Sequence, residues 1–129
     1  MATRETSIPE PGPFDCNLGV LVGELSSDPR PLDLESGSVL LRYEVTVRDG
    51  DTTDTVPVVR FDPTASEASL RAGARVAVVG RVRRRFFSAG GATVSRTEVV
   101  ADHVVSVRNR KRVARLLGST LIRLEAAAG

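Results

Sequence analysis

The sequence predicts a mostly β protein: a five-stranded barrel with one short helix between its third and fourth strands, followed by a C-terminal amphipathic helix. Valine is frequent, and a β-branched side chain loses little freedom on a pleated surface. Five strand-like segments are separated by short turns, with one helix-start signal between the third and the fourth. A chain of 129 residues suits one domain and can bury a core without disulfides or metal.

The first three strands are predicted by apolar segments that are separated by residues typical of turns. Residues 17–25 (NLGVLVGEL) have a strand's apolar pattern, and the Asp-Pro and Gly residues within 26–37 predict a connection. Residues 38–47 alternate apolar and polar, which is typical of a half-buried strand. An Asp-Gly hairpin connection at 48–54 then leads to the third strand at 55–61.

The helix and the last two strands are marked by capping and turn residues. A Thr-x-x-Glu capping box at 64–67 predicts the start of a helix over 65–71. Gly73 takes the position of the residue that ends such a helix. Two long strands are then predicted at 74–87 and 92–107, joined by an Ala-Gly-Gly turn.

Three strands, one short helix and two strands is the order of the OB-fold, a Greek-key barrel that often binds oligonucleotides or oligosaccharides. A small jelly-roll-like sandwich or another barrel is the alternative that the pattern leaves open. We expect the OB-fold domain at residues 16–108, after a flexible Pro-rich leader at 1–15. Residues 109–129 predict a basic amphipathic helix that needs a surface to pack on.

No pattern of catalytic or metal-binding residues is present in the sequence. Cys16 and His103 are the single cysteine and histidine, so one chain cannot form a Cys/His zinc site or an internal disulfide. The Gly-Gly pair at 90–91 lacks the phosphate-loop pattern, and the acidic residues show no paired spacing. We therefore expect a binding protein, not an enzyme, with no metal and no cofactor.

The composition also indicates a compartment. A single cysteine fits a reducing environment, and the N-terminal residues have no apolar signal segment. No apolar run approaches the length of a membrane span. These observations predict a cytoplasmic protein without a membrane partner.

The segment 81–87 (RVRRRFF) is the strongest candidate for a nucleic-acid surface. Binding a single strand requires cations along the phosphates and aromatic faces for the bases, each base worth ~1–3 kcal/mol. If Val82 points to the core, then Phe86 packs beside it and the alternate residues face outward. Those outward residues are Arg81, Arg83, Arg85 and Phe87. The pattern is equally compatible with a structural role, in which the two phenylalanines cover the end of the barrel and the arginines are only solvated.

Weaker candidates share the same chemistry. Arg60 and Phe61 repeat the basic–aromatic pair on the third strand, and Arg96 lies near a strand end. The formal charge is only +2, but the basic residues are almost all arginine, since Lys111 is the only lysine. Arginine can both form forked hydrogen bonds to phosphates and stack on aromatic rings. For each weaker candidate alone, a solvated surface charge is the simpler interpretation.

Five segments, in order and spacing, resemble the bacterial single-stranded-DNA-binding (SSB) family. NLGVLVGELSSDP resembles the family's first strand, SGSVLLRYEVTV its second and VPVVRF its third. ASEASLRAGARVAVVGRVRRR resembles its short helix and fourth strand, and TEVVADHVVSV its last strand. The resemblance covers residues 17–107, most of the chain.

The resemblance implies an OB-fold that binds single-stranded DNA in replication, recombination or repair, with RNA as an alternative ligand. It also implies a homo-oligomer, either a tetramer or a dimer, and, through its DNA ligand, a nucleoid-associated location. By the same resemblance, Phe61 and Phe87 fall at stacking positions, and Arg83 and Arg85 fall where the family carries basic residues.

Three departures from the family pattern are evident. Tryptophan is absent and the region of Thr55 is not aromatic, which predicts weaker binding that depends more on phosphate contacts. The chain ends LIRLEAAAG where the family carries an acidic tip that recruits other proteins, so we expect no such recruitment. The basic helix takes that tip's place.

We therefore expect a divergent paralogue or a phage-type relative. The alternative is an OB-fold protein-interaction or assembly module with little affinity for nucleic acid.

Overall fold

The computed structural model describes residues 15–128, so the predicted leader lies, apart from Asp15, outside the described range. This range contains six strands of one sheet and two helices. The elements are β1 Gly19–Leu25, β2 Arg30–Asp33, β3 Val39–Asp49, β4 Thr52–Phe61, α1 Ala65–Ala68, β5 Arg75–Ala89, β6 Ala92–Ser106 and α2 Arg110–Ala128.

Five of the strands close into a barrel, which confirms the predicted fold class. Their order is β1-β5-β6-β4-β3, and β1 returns to β3 where Leu25 lies opposite Val45. β4 and β6 run parallel, with Val58 opposite Val99, while the other pairs are antiparallel. This closed five-stranded barrel, with its helix between the third and fourth barrel strands, is the OB-fold and not a sandwich.

The connection predicted over 26–37 contains a short strand that the sequence patterning missed. β2 pairs with β3 outside the barrel, with Pro31 opposite Leu41, and its four residues are all exposed. Proline cannot donate a hydrogen bond to a neighbouring strand, so in a sequence it is usually taken to indicate a turn. An edge strand such as β2 tolerates proline.

Helix α1 begins at the predicted capping box but ends earlier than predicted. The Thr64 hydroxyl accepts a hydrogen bond from the backbone N–H of Glu67, whose carboxylate accepts one from the Thr64 N–H. The helix does not fill the predicted range 65–71, because Leu70 leaves it to pack against the barrel core. Gly73 does not end the helix; its φ of +90° belongs to the turn before β5.

Branched aliphatic side chains and one tyrosine fill the barrel interior. The buried cluster is Leu25, Leu41, Tyr43, Val45, Val58, Val76, Val78, Val99, Ala101 and Val104. The Tyr43 hydroxyl donates to the carbonyl oxygen of Glu67 at 2.9 Å, which ties α1 to the barrel. Burial raises the pKa of Tyr43, and the nearby charge of Glu67 raises it further.

A bulge in β6 lies opposite the step from Val79 to Gly80 of β5, with Asp102 as its extra residue. The β5–β6 register shifts between Val79 and Gly80, and a Cβ atom at Gly80 would overlap the carbonyl oxygen of Val100. Only glycine permits this close approach, and a bulge bends the strand that carries it. Beyond Val82 and Val99, where β6 stops pairing with β4, β5 and β6 continue as a two-stranded ribbon to the turn at Gly90 and Gly91, both with positive φ.

Helix α2 contacts β5 and β6 along part of its length and leaves several of its large apolar side chains exposed. The Asn109 side chain accepts a hydrogen bond from the Arg112 N–H at the helix start, and Arg123 pairs with Asp102 at 3.7 Å. Thr120 is buried on the packed side, yet Leu121 is exposed. Over residues 15–128, neither helix combines the length and apolar character needed to cross a membrane.

Candidate nucleic-acid interface

A shallow groove of about 200 Å³ lies on the outer surface of the sheet, beside the base of the β5–β6 hairpin. Its lining joins aliphatic, aromatic and charged side chains. They are Leu32, Leu34, Leu40, Arg42, Val59, Phe61, Arg83, Arg85 and Glu98. We refer to this surface as the groove.

The strand register explains why basic side chains of β5 face the groove. Val82 lies opposite Val99, a core residue, so Val82 is on the inner face of the sheet. Alternate residues of a strand project to opposite faces, so the neighbours of Val82 project outward. The structure thereby places four predicted site residues along one outer face: Arg81, Arg83, Arg85 and Phe87.

A small apolar cluster forms the floor of the groove. Leu40, Val59 and Val100 are buried there, and Phe61 packs against them from the end of β4. The Arg83 guanidinium carbon lies 5.5 Å from the centroid of the Phe61 ring, within range of a cation–π interaction. The groove therefore brings together site residues predicted on two different strands.

Glu98 is a buried carboxylate that holds the arginines of the groove. Its side chain is fully buried, and one oxygen accepts from Arg83 Nη2 at 2.7 Å and from Arg85 Nε at 3.2 Å. Arg96 Nε lies 3.5 Å from the other oxygen. The Arg96 guanidinium also reaches Glu44 at 3.5 Å, so the predicted site residue Arg96 joins the same network. The sequence analysis did not identify Glu98.

The two adjacent phenylalanines point to opposite faces of the hairpin. Phe87 lies beneath Arg85, with 4.8 Å between guanidinium carbon and ring centroid, and is 38% exposed. Phe86 is 64% exposed, with Arg84 stacked at 5.2 Å, so the prediction that Phe86 packs was wrong. The inner face of β5 loses its cover because the hairpin extends beyond the barrel end; Val82 is 43% exposed for the same reason.

Arg60 lies apart from the groove. It is opposite Leu41, a core residue, and so projects to the other face of β4 from Phe61. Its Nε atom donates to both carboxylate oxygens of Glu67, at 3.0 and 3.1 Å. Of the predicted site residues, Arg60 is the one that pairs with Glu67 and does not lie on the face that carries the groove.

Glu67 is the centre of that contact and is buried. Its carboxylate accepts hydrogen bonds from the Thr64 N–H at 2.8 Å and the Val104 N–H at 3.1 Å, besides those from Arg60. Burial alone would raise the pKa of Glu67. The backbone hydrogen bonds and the Arg60 guanidinium outweigh burial, and they hold the pKa below the ordinary value of 4.5.

The chemistry of the groove is that of binding. Phe61 in the groove and Phe87 beside it offer stacking faces to bases, and the guanidinium groups of the groove offer forked donors to phosphates. In the part of the chain that the structure describes, no three His, Cys, Asp or Glu side chains are grouped to hold a metal ion.

An OB-fold barrel whose outer groove combines arginines with phenylalanine rings has the features of a nucleic-acid-binding OB domain. Comparison with protein-family models matches residues 16–107, most of the chain, to the single-strand binding protein family. The chain belongs to this family, whose members are non-enzymatic binding proteins, and membership supports single-stranded DNA binding in general. A search of curated proteins found no match.

Proposed function

We propose that this protein binds single-stranded DNA without sequence preference, as a non-enzymatic protein of replication, recombination or repair. The observation that carries the proposal is the pairing of cations with rings on one outer face: Arg83 over Phe61 in the groove, and Arg85 over Phe87 beside it. Each pair can meet the phosphate and the base of one nucleotide, and neither contact reads base identity. Because the proposed ligand is DNA, we also propose a cytoplasmic, nucleoid-associated location.

A fluorescence-anisotropy titration with labelled oligo-dT across a salt series tests this function. We expect the logarithm of the association constant to fall linearly with the logarithm of salt concentration, by about 0.7 for each phosphate contacted. Oligo-U of the same length measures the preference between DNA and RNA. Absence of binding by micromolar protein at low salt would contradict the proposal.

We also propose that the protein is a homo-oligomer that assembles through β1. The stretch from Gly19 to Gly23 pairs with β5 on one side, whereas β3 pairs with only Glu24 and Leu25 on the other. Val20 and Val22 on this stretch are 45% and 43% exposed. A strand with a free edge and exposed apolar side chains is a template for pairing with another copy.

Light scattering after size-exclusion chromatography tests this assembly. We expect the wild-type protein to have the mass of a dimer or a tetramer. Replacing both Val20 and Val22 with lysine should lower the mass while the far-ultraviolet circular dichroism stays unchanged, since both side chains lie largely outside the core. A wild-type mass of one chain would contradict it.

A second candidate function is that of a protein-interaction or assembly module. Exposed apolar side chains of α2 favour it: they are Leu117, Leu121, Ile122 and Leu124. In that case the full chain would not bind DNA, and deleting residues 109–129 would abolish assembly. Retention of oligo-dT binding by the full chain and by the deletion would exclude it.

A further inference from the structure

A second basic surface lies at the opposite end of β5 from the hairpin. A cleft of about 740 Å³ opens there between the turn that precedes β5 and the junction of β6 with α2. Four arginines line it: Arg71, Arg75, Arg108 and Arg110. We refer to this surface as the arginine cleft.

The charges of the arginine cleft are not neutralised within the described part of the chain. Among residues 15–128, no acidic oxygen lies within 4.0 Å of the nitrogen atoms of these four guanidinium groups. Arg71 donates to the carbonyl oxygens of Ala68 and Leu70, which are neutral. This differs from the groove, where Arg83 and Arg85 share the carboxylate of Glu98.

The acidic residues nearest in the fold do not change this balance. Glu24 is opposite Arg75 on β1 without forming an ion pair, and an oxygen of Asp28 accepts from the Ala72 N–H at 2.8 Å. Lys111 and Arg112 continue the positive charge, and the first turn of α2 has no acidic residue. Like charges gathered around one concavity raise the local positive potential and attract an extended anion.

We propose that the arginine cleft binds the sugar-phosphate backbone of the same DNA strand that occupies the groove; this inference rests on the proposed function. β5 links the two surfaces, since Arg75 opens the strand and Arg83 lies eight positions further, about 26 Å at 3.3 Å per residue. Exposed Arg81 lies between them. No aromatic residue among those that the structure describes lines the cleft, so its contacts are to phosphates and not to bases.

A double variant, Arg108→Gln with Arg110→Gln, tests the inference. Both side chains are exposed, so the fold should tolerate the change. For oligo-dT of about 30 nucleotides, longer than the ~4–16 that one OB-fold covers, we expect roughly tenfold weaker binding at physiological salt. The salt slope should become shallower by about 1.4, because two phosphate contacts are lost. For an oligomer of about 6 nucleotides, which the groove alone can hold, the affinity should equal that of the wild type.

The matched control is Arg115→Gln with Arg123→Gln, which removes the same charge from α2 outside the arginine cleft. It should bind the longer oligomer like the wild type at physiological salt, where the Debye length is about 8 Å. Equal losses in the two double variants would overturn the inference, because net charge alone would then explain them. Unchanged binding of the longer oligomer by the cleft variant would also overturn it, and would be the outcome if the cleft takes an acidic protein segment. Failure of the wild type to bind either oligomer would instead contradict the proposed function.

Discussion

Replacing Phe87 with alanine will weaken oligo-dT binding by roughly tenfold and leave the salt slope unchanged, because one stacked base is worth ~1–3 kcal/mol and stacking releases no counterions. The ring is partly exposed and lies against Arg85, on the same face of β5 as Arg83. Anisotropy titrations at several salt concentrations measure both quantities on one preparation.

The neighbouring ring supplies the control for this experiment. Phe86 is the more exposed of the two but faces away from the groove, so Phe86→Ala should bind like the wild type. An equal loss in both variants would show that DNA contacts both faces of the hairpin, and the groove would not be the site.

Arg83→Ala is expected to have the complementary signature. Losing one phosphate contact should make the salt slope shallower by about 0.7. Glu98 keeps Arg85 and Arg96 as neighbours in this variant, so its buried carboxylate is not left without a cation. A slope identical to that of the wild type would mean that Arg83 serves only to neutralise Glu98.

Replacing Glu67 with alanine will lower the free energy of unfolding by about 3 kcal/mol, the low end of the range for removing one partner of a buried ion pair. The low end applies because the Arg60 side chain is 22% exposed and can reach water. The variant also leaves the buried N–H of Val104 without its acceptor and removes the capping box at Thr64. Urea denaturation measures the change, with the midpoint falling at an unchanged m-value.

Glu35→Ala is the matched control, since Glu35 is exposed in the turn after β2. Its effect should stay within about 0.5 kcal/mol. A similar loss in both variants would mean that the contacts of Glu67 add no stability beyond those of a surface carboxylate.

The lowered pKa of Glu67 adds a pH dependence with a defined sign. A carboxyl group whose pKa is lower in the folded than in the unfolded state contributes stability that is fully present above the unfolded value. That contribution is lost as the pH falls from the ordinary value of 4.5 through the lower folded value. Glu67→Gln, which cannot titrate, should therefore show a flatter dependence of stability on pH below 4.5. Parallel curves for the two proteins would assign the acid sensitivity to other groups.

The barrel was predictable because its signals are local. Alternation located the strands, and the Thr-x-x-Glu spacing located α1. β2 was missed because its proline carries the same signal as a turn. The early end of α1 depends on Leu70 reaching the core, which no local pattern shows.

The groove was partly predictable, and one of its residues was within reach. The Gly90–Gly91 turn places Ala89 opposite Ala92, and counting back from that pair along the hairpin puts Arg83 opposite Glu98. The position of Arg60 follows from the same alternation, since it is adjacent to Phe61 and must project to the other face. The arginine cleft was not predictable, because residues near 71–75 and 106–110 meet only once the barrel has closed.

Glu98 gives the free protein an internal substitute for a phosphate. Arg83 and Arg85 are already ordered around an anion before DNA arrives, so binding avoids part of the roughly 0.5–1.5 kcal/mol lost when each such side chain is immobilised. When a phosphate dissociates, the guanidinium group that bound it remains paired with the Glu98 carboxylate. We therefore expect a protein that exchanges one phosphate for the next with low barriers, and that diffuses along a strand instead of staying fixed where it first lands.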